Sequence, residues 1–171
     1  MATSLPCGRT PGCGPVAPRG DTLRRVAGEL VPEPGAVGGV LVGAVVLAGG
    51  GGARLGGADK SSIEVGGRTL LDHALAALAD IAEVVVVGPE VPTSRPVTFA
   101  REDPAGGGPA AGLLAGVRRF ARTPTWVLVL AVDMPLVSRD TVRRLTDAVR
   151  DDGAVLVDSS GQRQTLCAAY S

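Results

Sequence analysis

The sequence predicts an α/β fold built on a mostly parallel sheet, and three observations carry that expectation. From Gly43 onward, apolar runs of strand length alternate with segments of helical period. Two of those runs, Val84-Val85-Val86-Val87 and residues 126–132, are apolar without a break, as strands covered on both faces are. The first run, Val45-Val46-Leu47, opens directly into Ala48-Gly49-Gly50-Gly51-Gly52. Ligands of parallel sheets sit at such junctions, at the carboxyl ends of strands.

Taken in order, residues 1–40 differ in kind from the rest. Positions 1–34 are rich in Pro, Gly and Arg, show neither helical nor strand period, and lack the apolar core of a signal peptide. They read as a disordered leader or as translated sequence ahead of the true start, so the domain is expected in residues 41–171. Residues 44–47 are its first strand, and 62–65 a short extended piece ended by Gly66-Gly67. Thr69 is placed to cap a helix through residue 80, with Leu71, Leu75 and Leu78 on one face. Residues 83–87 are a β-branched strand stopped by Gly88-Pro89, and 97–99 form another short strand. Gly106-Gly107-Gly108-Pro109 is a second glycine loop, with proline at the first position of a helix running through Phe120. Leu113, Leu114 and Val117 are spaced for its buried face. After the strand at 126–132, Ser138 caps a helix to about residue 150, with Val142, Leu145 and Val149 inward. Residues 154–157 and 164–169 are the last strands, joined across Ser159-Ser160-Gly161.

Composition excludes several classes of function. With 171 residues the chain has room for one ordinary domain, and 45% apolar content supplies a core. Only 2% is aromatic, so that core rests on Val, Leu and Ala. A formal net charge of zero leaves no basic surface for nucleic acid. The longest apolar stretch, residues 37–48, is interrupted by glycines and falls short of a membrane span. Cys7, Cys13 and Cys167 form no C-x-x-C pair and have no nearby His, which indicates neither zinc nor disulfides. They read as reduced thiols of a cytoplasmic protein.

The glycine loop is the most specific feature. Glycines let backbone N–H groups turn toward a ligand, and Arg54 and Lys60 add two cations suited to phosphate. A P-loop is excluded: Lys60-Ser61 is present, but Asp59 and Arg54 occupy the two positions that must be glycine. A dinucleotide fingerprint fails at Arg54 when counted from Gly49 and at Leu55 when counted from Gly50. What remains is Leu47-Ala48-Gly49-Gly50 followed by Arg54, Gly56 and Asp59-Lys60. A plain flexible connector is the alternative, but flexibility alone does not call for both cations.

Asp133 follows the strand at 126–132 and precedes Met134-Pro135-Leu136. A carboxylate at the mouth of an apolar strand is costly to desolvate unless it is paired or binds a metal. Helix capping is the other reading, and Ser138 is better placed for it. Asp103, ahead of the second glycine loop, reads by itself as an ordinary turn residue. His73, the single histidine, falls away from the Leu71 face and reads as an exposed or half-buried helix residue.

These stretches resemble a known family. Leu47 through Lys60 and Asp133-Met134-Pro135-Leu136 are similar to the two signatures of the sugar-nucleotide and molybdenum cofactor nucleotidyltransferases, and most similar to the molybdenum cofactor guanylyltransferases. The resemblance implies a three-layer Rossmann-like nucleotidyltransferase fold. It implies nucleotide contacts from Leu47, Ala48, Gly49, Gly50, Lys60, Asp103 and Asp133, and catalytic roles for Arg54, Lys60 and Asp133. Asp133 would hold Mg²⁺ bridging the triphosphate. Gly108-Pro109-Ala110-Ala111-Gly112 stands for a third motif, with Ala110 where leucine is common. The implied reaction moves GMP from GTP to the molybdopterin cofactor with release of pyrophosphate, and implies transient contact with molybdoenzymes or their chaperones. Gly49, where cytidylyl relatives tend to carry alanine, leans toward guanine. Three further departures qualify the likeness. Thr165 replaces the proline of a Gln-Pro-Leu strand, Val87-Gly88 stands where asparagine is frequent, and the family's closing helices and late polar motif are missing. The domain at 41–171 therefore reads as lacking its C-terminal part. Alternatives are nucleotidyl transfer with CTP or to a sugar or polyol phosphate, and a non-catalytic nucleotide-binding or partner-binding domain.

Overall fold

Side chains alternate between the two faces of a strand, so an uninterrupted apolar strand builds two cores at once. The computed structural model describes residues 23–26, 29–32, 36–37, 40–49, 60–103, 105–150 and 152–171, those through residue 40 by backbone alone. In chain order the strands are β1 (Leu23–Val26), β2 (Glu29–Pro32), β3 (Ala36–Val37), β4 (Val40–Leu47), β5 (Glu64–Val65) and β6 (Arg68–Thr69). They continue as β7 (Glu83–Val87), β8 (Thr98–Ala100), β9 (Trp126–Ala131), β10 (Gly153–Val157) and β11 (Arg163–Tyr170). The helices are α1 (Leu70–Ala77), α2 (Gly108–Val117) and α3 (Arg139–Ala148), with a single 3₁₀ turn at Lys60–Ser62.

The main sheet runs β10-β11-β9-β4-β7-β8, with β3 pairing the start of β4. β9, β4, β7 and β8 are parallel, and β11 returns antiparallel between β9 and β10. This is the mostly parallel α/β sheet that the alternating signals predict. Ala44, Val46, Val84, Val86, Leu128 and Leu130 face the core shared with α1 and α3. Val45, Leu47, Val85, Val87, Val127 and Val129 face the opposite core, where Leu113 and Val117 of α2 pack. The result is three layers: two helices, the sheet, and one helix.

The expected caps are in place. Thr69 Oγ1 accepts the Asp72 N–H at 3.0 Å, and Ser138 Oγ accepts the Thr141 N–H at 3.2 Å in a reciprocal capping box. Val142 and Leu145 are buried as their spacing predicts. α1 ends at Ala77, short of the expected residue 80. There the Arg95 guanidinium donates to the carbonyls of Leu78 and Ile81, each at 2.7 Å, and closes the helix end from outside. His73 is half-buried and its Nε2 donates to Val65 O at 2.9 Å.

Four expectations need correction. Leu114 does not face the core; it is 52% exposed. The stripe of α2 on the sheet includes Gly112 and Gly116, which a hydrophobic pattern cannot register, and a Cβ on Gly116 would fall 2.6 Å from Val45 Cγ1. Proline stands at the second helical position, Gly108 being the first and Gly107 the cap. The extended piece at 62–65 is instead half of a hairpin, β5–β6, closed by Gly66 and Gly67 at φ +61° and +77°. Finally, the segment before residue 40 is not without strand pairing: β1 pairs β2, and β3 pairs β4. Leu23, Val26, Leu30, Val31, Ala36 and Val37 supply enough strand-forming residues for those short ladders, which averaging over the Pro- and Gly-rich surroundings hides.

No helix among the described residues is long and apolar enough to cross a membrane.

Candidate functional site

Because β4, β7 and β9 are parallel and in register, their last residues form one edge: Leu47 lies opposite Val87 on one side and Ala131 on the other. Those three side chains, with Leu166 of β11, make the apolar floor of a cavity of about 270 Å³. Its polar walls come from loops that leave the strands at that edge. Lys60 and Asp133 stand over β4 and β9, while Glu102, Gly106, Gly108 and Pro109 stand over β7 and β8.

Lys60 and Asp133 are 73 positions apart in sequence, yet the Lys60 Nζ donates to Asp133 Oδ2 at 3.3 Å. Lys60 opens the 3₁₀ turn that follows the first glycine loop, and Asp133 comes two residues after the end of β9. Their side chains are 33% and 53% exposed. The carboxylate is thus paired rather than stripped of water, which removes the desolvation cost that its sequence position raised. Ser138 does the capping of α3, and leaves Asp133 without that task.

The opposite wall is built by α2. No side chain caps this helix at Gly107, and its first turn gives Gly108 and Pro109 to the cavity. A helix start of that kind favours an anion through its N–H groups and its dipole. Gly106 and Gly108 hold φ near +81° and +83°, a region that glycine reaches freely, so the loop turns into the helix at this point. Glu102 accepts the Gly106 N–H at 3.1 Å and also borders a side slot lined by Gly88, Pro89 and Arg101.

The sequence-predicted residues divide accordingly. Leu47, Gly49, Lys60 and Asp133 line the cavity together. Ala48 is buried, with its methyl in the α1 and α3 core, so only its backbone is available to the site. The N–H groups of Ala48 and Gly49 both donate to Val87 O, at 2.9 and 2.8 Å. The expectation that amides just after Leu47 turn to the ligand is corrected for these two: the parallel pairing of β4 with β7 continues past the strand end and consumes them. Gly50 and Arg54 lie outside the described residues. Asp103 is exposed in the bend after β8, and its neighbour Glu102 lines the cavity instead. Strand alternation was the available signal, since Ala100 is buried and Glu102 shares its face.

Among the described residues there is no group of three or more His, Cys, Asp or Glu arranged to hold a metal. Asp133 alone fits a Mg²⁺ that takes its remaining ligands from phosphate oxygens and water, the usual manner for that ion.

A second cavity, of about 540 Å³, shares Asp133 with the first. Met134, Leu136 and Val157 give it apolar walls, and Arg144 and Gln164 give it polar ones. Leu136 is 93% exposed and Val157 52% exposed, so both apolar surfaces are open to a ligand.

Comparison with known proteins places this geometry. A family model described as the MobA-like NTP transferase domain matches residues 44–171. The molybdenum cofactor guanylyltransferase of Acidiphilium cryptum strain JF-5 is 42% identical over 111 residues, 60% of this chain and 55% of that one. The 2-C-methyl-D-erythritol 4-phosphate cytidylyltransferase of Thermus thermophilus is 38% identical over 118 residues, 67% of this chain and 53% of that one. A crystal structure of the Thermus thermophilus enzyme of that name superposes with a TM-score of 0.54 at 26% identity, covering 76% of this chain and 70% of that one. The chain spans about half the length of the curated relatives it matches.

Proposed function

The chain belongs to the MobA-like NTP transferase family, and from that premise we propose that it transfers GMP from GTP to the molybdopterin cofactor, with release of pyrophosphate. The observation that carries this reading is the meeting of Lys60 and Asp133 in a cavity at the ends of three parallel strands, facing the start of α2. A cation, a carboxylate and a helix N-terminus around one apolar floor suit a magnesium nucleotide.

The sheet order supports a reading of how the nucleotide lies. β9 and β8 are separated by β4 and β7, so the Lys60–Asp133 wall and the Glu102 wall stand three strand spacings apart, about 14 Å. That span accommodates phosphates at one end and a base at the other. Lys60 takes phosphate oxygens as a compact charge. Asp133 holds Mg²⁺, which would supply further neutralisation of the phosphates. Glu102, an acceptor only, suits an edge bearing two donors, as guanine has in its N1–H and N2–H groups; adenine offers one donor and one acceptor there. Glu102 therefore takes over the nucleotide contact expected of Asp103.

The acceptor phosphate attacks the α-phosphorus in line with the departing pyrophosphate. That chemistry asks the chain to position two polyanions and to offset developing charge, not to form a covalent intermediate. The second cavity abuts Asp133, and an acceptor seated against Leu136 and Val157, its phosphate steered by Arg144, reaches the nucleotide at Asp133.

A second reading has its own support. The 38% identity and the structural likeness to the Thermus cytidylyltransferase favour CTP and a polyol phosphate. Calorimetric titration with GTP, CTP and ATP, each with Mg²⁺, decides. Tightest binding of GTP, with the preference over ATP lost in Glu102→Gln, supports the first reading; tightest binding of CTP replaces it with the second. Binding of none overturns both.

A further inference from the structure

Lys60 and Asp133 are each other's ligand in this structure, 3.3 Å apart and both partly open to the cavity. Under the reading above, on which this inference rests, they take different ligands: the amine a phosphate, the carboxylate a divalent cation. Each ligand must draw its residue out of the pair and leave the other charge without its partner. A nucleotide arriving with a cation satisfies both residues at once.

We propose that this ion pair is a ligand-exchange latch that couples nucleotide and divalent-cation binding through the chain itself. Either ligand alone opens the pair at a loss; once one has opened it, the other binds to a residue already free. The coupling is reciprocal, so the factor by which the cation tightens nucleotide binding equals the factor by which nucleotide tightens cation binding. This contribution adds to whatever affinity cation and nucleotide have for one another in solution. Because both side chains are partly solvated, it stays modest, about fivefold. Salt screens it, so the factor shrinks at high ionic strength.

The test is a double-mutant cycle on metal-free binding. Titration of GTP in excess EDTA is compared for the wild type, Asp133→Asn, Lys60→Met and the double variant. Removing the Asp133 charge relieves repulsion of phosphate in any background, but it liberates Lys60 only where Lys60 is present. The latch therefore predicts that Asp133→Asn tightens metal-free GTP about fivefold more in the wild-type background than in Lys60→Met. In the other direction, Mn²⁺ binding to nucleotide-free protein, followed by its spin-resonance signal, tightens in Lys60→Met and not in Lys60→Arg, which keeps the pair. Thermal melts establish that the variants are folded. Equal gains from Asp133→Asn in both backgrounds overturn the latch while leaving the nucleotide site intact. Failure of the wild type to bind GTP with Mg²⁺ overturns the site reading, and the latch with it.

Discussion

At Gly116 a single hydrogen atom sets how closely α2 lies on the sheet. A methyl there would meet Val45 Cγ1 at 2.6 Å and Cγ2 at 3.0 Å, both on a fully buried β-branched side chain. Gly116→Ala is expected to cost about 1–3 kcal/mol in chemical denaturation, the range for overpacking. Gly112→Ala acts elsewhere: its Cβ would meet Glu102 Oε1 at 3.0 Å and Leu47 Cδ2 at 3.2 Å, both at the cavity. It should therefore weaken nucleotide binding more than it weakens the fold, as paired melts and titrations would show. Gly49 and Lys60 separate steric from ionic effects. A Cβ on Gly49 would lie at contact distance, 3.4 Å from Val87 O, so Gly49→Val is expected to spare the fold while adding bulk to a residue that lines the cavity. Both Gly49→Val and Lys60→Ala are expected to lose GTP affinity, but only Lys60→Ala should flatten its dependence on salt, since only that change removes a screened charge. Wild-type affinity in Lys60→Ala would remove the phosphate role. At this scale the sequence picked out Lys60 and Asp133 singly, and the structure brings them together in one cavity. It was silent on direction: Glu102 and Asp103 are adjacent carboxylates, and only the alternation after β8 turns the first toward the cavity.

The elements were the most legible level, because caps and periods are local. Thr69 and Ser138 announce α1 and α3, and Ser138→Ala should cost about 1 kcal/mol of stability through loss of the capping box. Leu114 shows the limit of periodicity: a stripe containing Gly112 and Gly116 has no hydrophobic signature, so the pattern turns their apolar neighbour inward in their place. The β10–β11 hairpin carries a pH-dependent feature. Asp158 accepts from Ser160 Oγ at 2.6 Å, from the N–H groups of Ser160 and Gln162 at 2.9 and 3.0 Å, and from Gln164 Nε2 at 2.7 Å. These bonds, that from the Ser160 hydroxyl foremost, pull its pKa from 3.8 down to about 2. A folded value below the unfolded one means that the stabilisation is complete above the ordinary carboxylate pKa and is lost as pH falls through about 2. The melting temperatures of wild type and Asp158→Asn should thus differ most above pH 4 and converge toward pH 2, a window that the ordinary value of 3.8 and the folded value of about 2 define. A gap that stays constant with pH would show that the carboxylate's charge is irrelevant to the turn.

For the whole molecule, the decisive signal was that strands apolar on both faces need cover on both, and β4, β7 and β9 have it from α1 and α3 on one side and α2 on the other. What the sequence left open is how the part before β4 relates to that body. Pro, Gly and Arg content argues for exclusion at residue 40, yet β3 pairs Ala36 with Leu41 and Val37 with Val40, so the sheet draws on residues ahead of that boundary. β1 and β2 differ from β3 in this respect, since among the described residues they pair only with each other, and a lone two-stranded ribbon is marginal in water. The two cases separate by deletion. Removing residues 1–34 takes away the ribbon and none of the described pairing of the main sheet, and should shift the melting temperature by no more than about 2 °C, which corresponds to roughly 0.5–1 kcal/mol in a domain of this size. Removing residues 1–39 also takes β3 from the edge of β4 and exposes the backbone groups of Val40 and Leu41, so a further, measurable drop should follow. GTP affinity should be the same in both, because the cavity lies at the other end of β4, at Leu47 and beyond. A large loss on the shorter deletion alone would mean that β1 and β2 pack on the domain and that its boundary falls before residue 23.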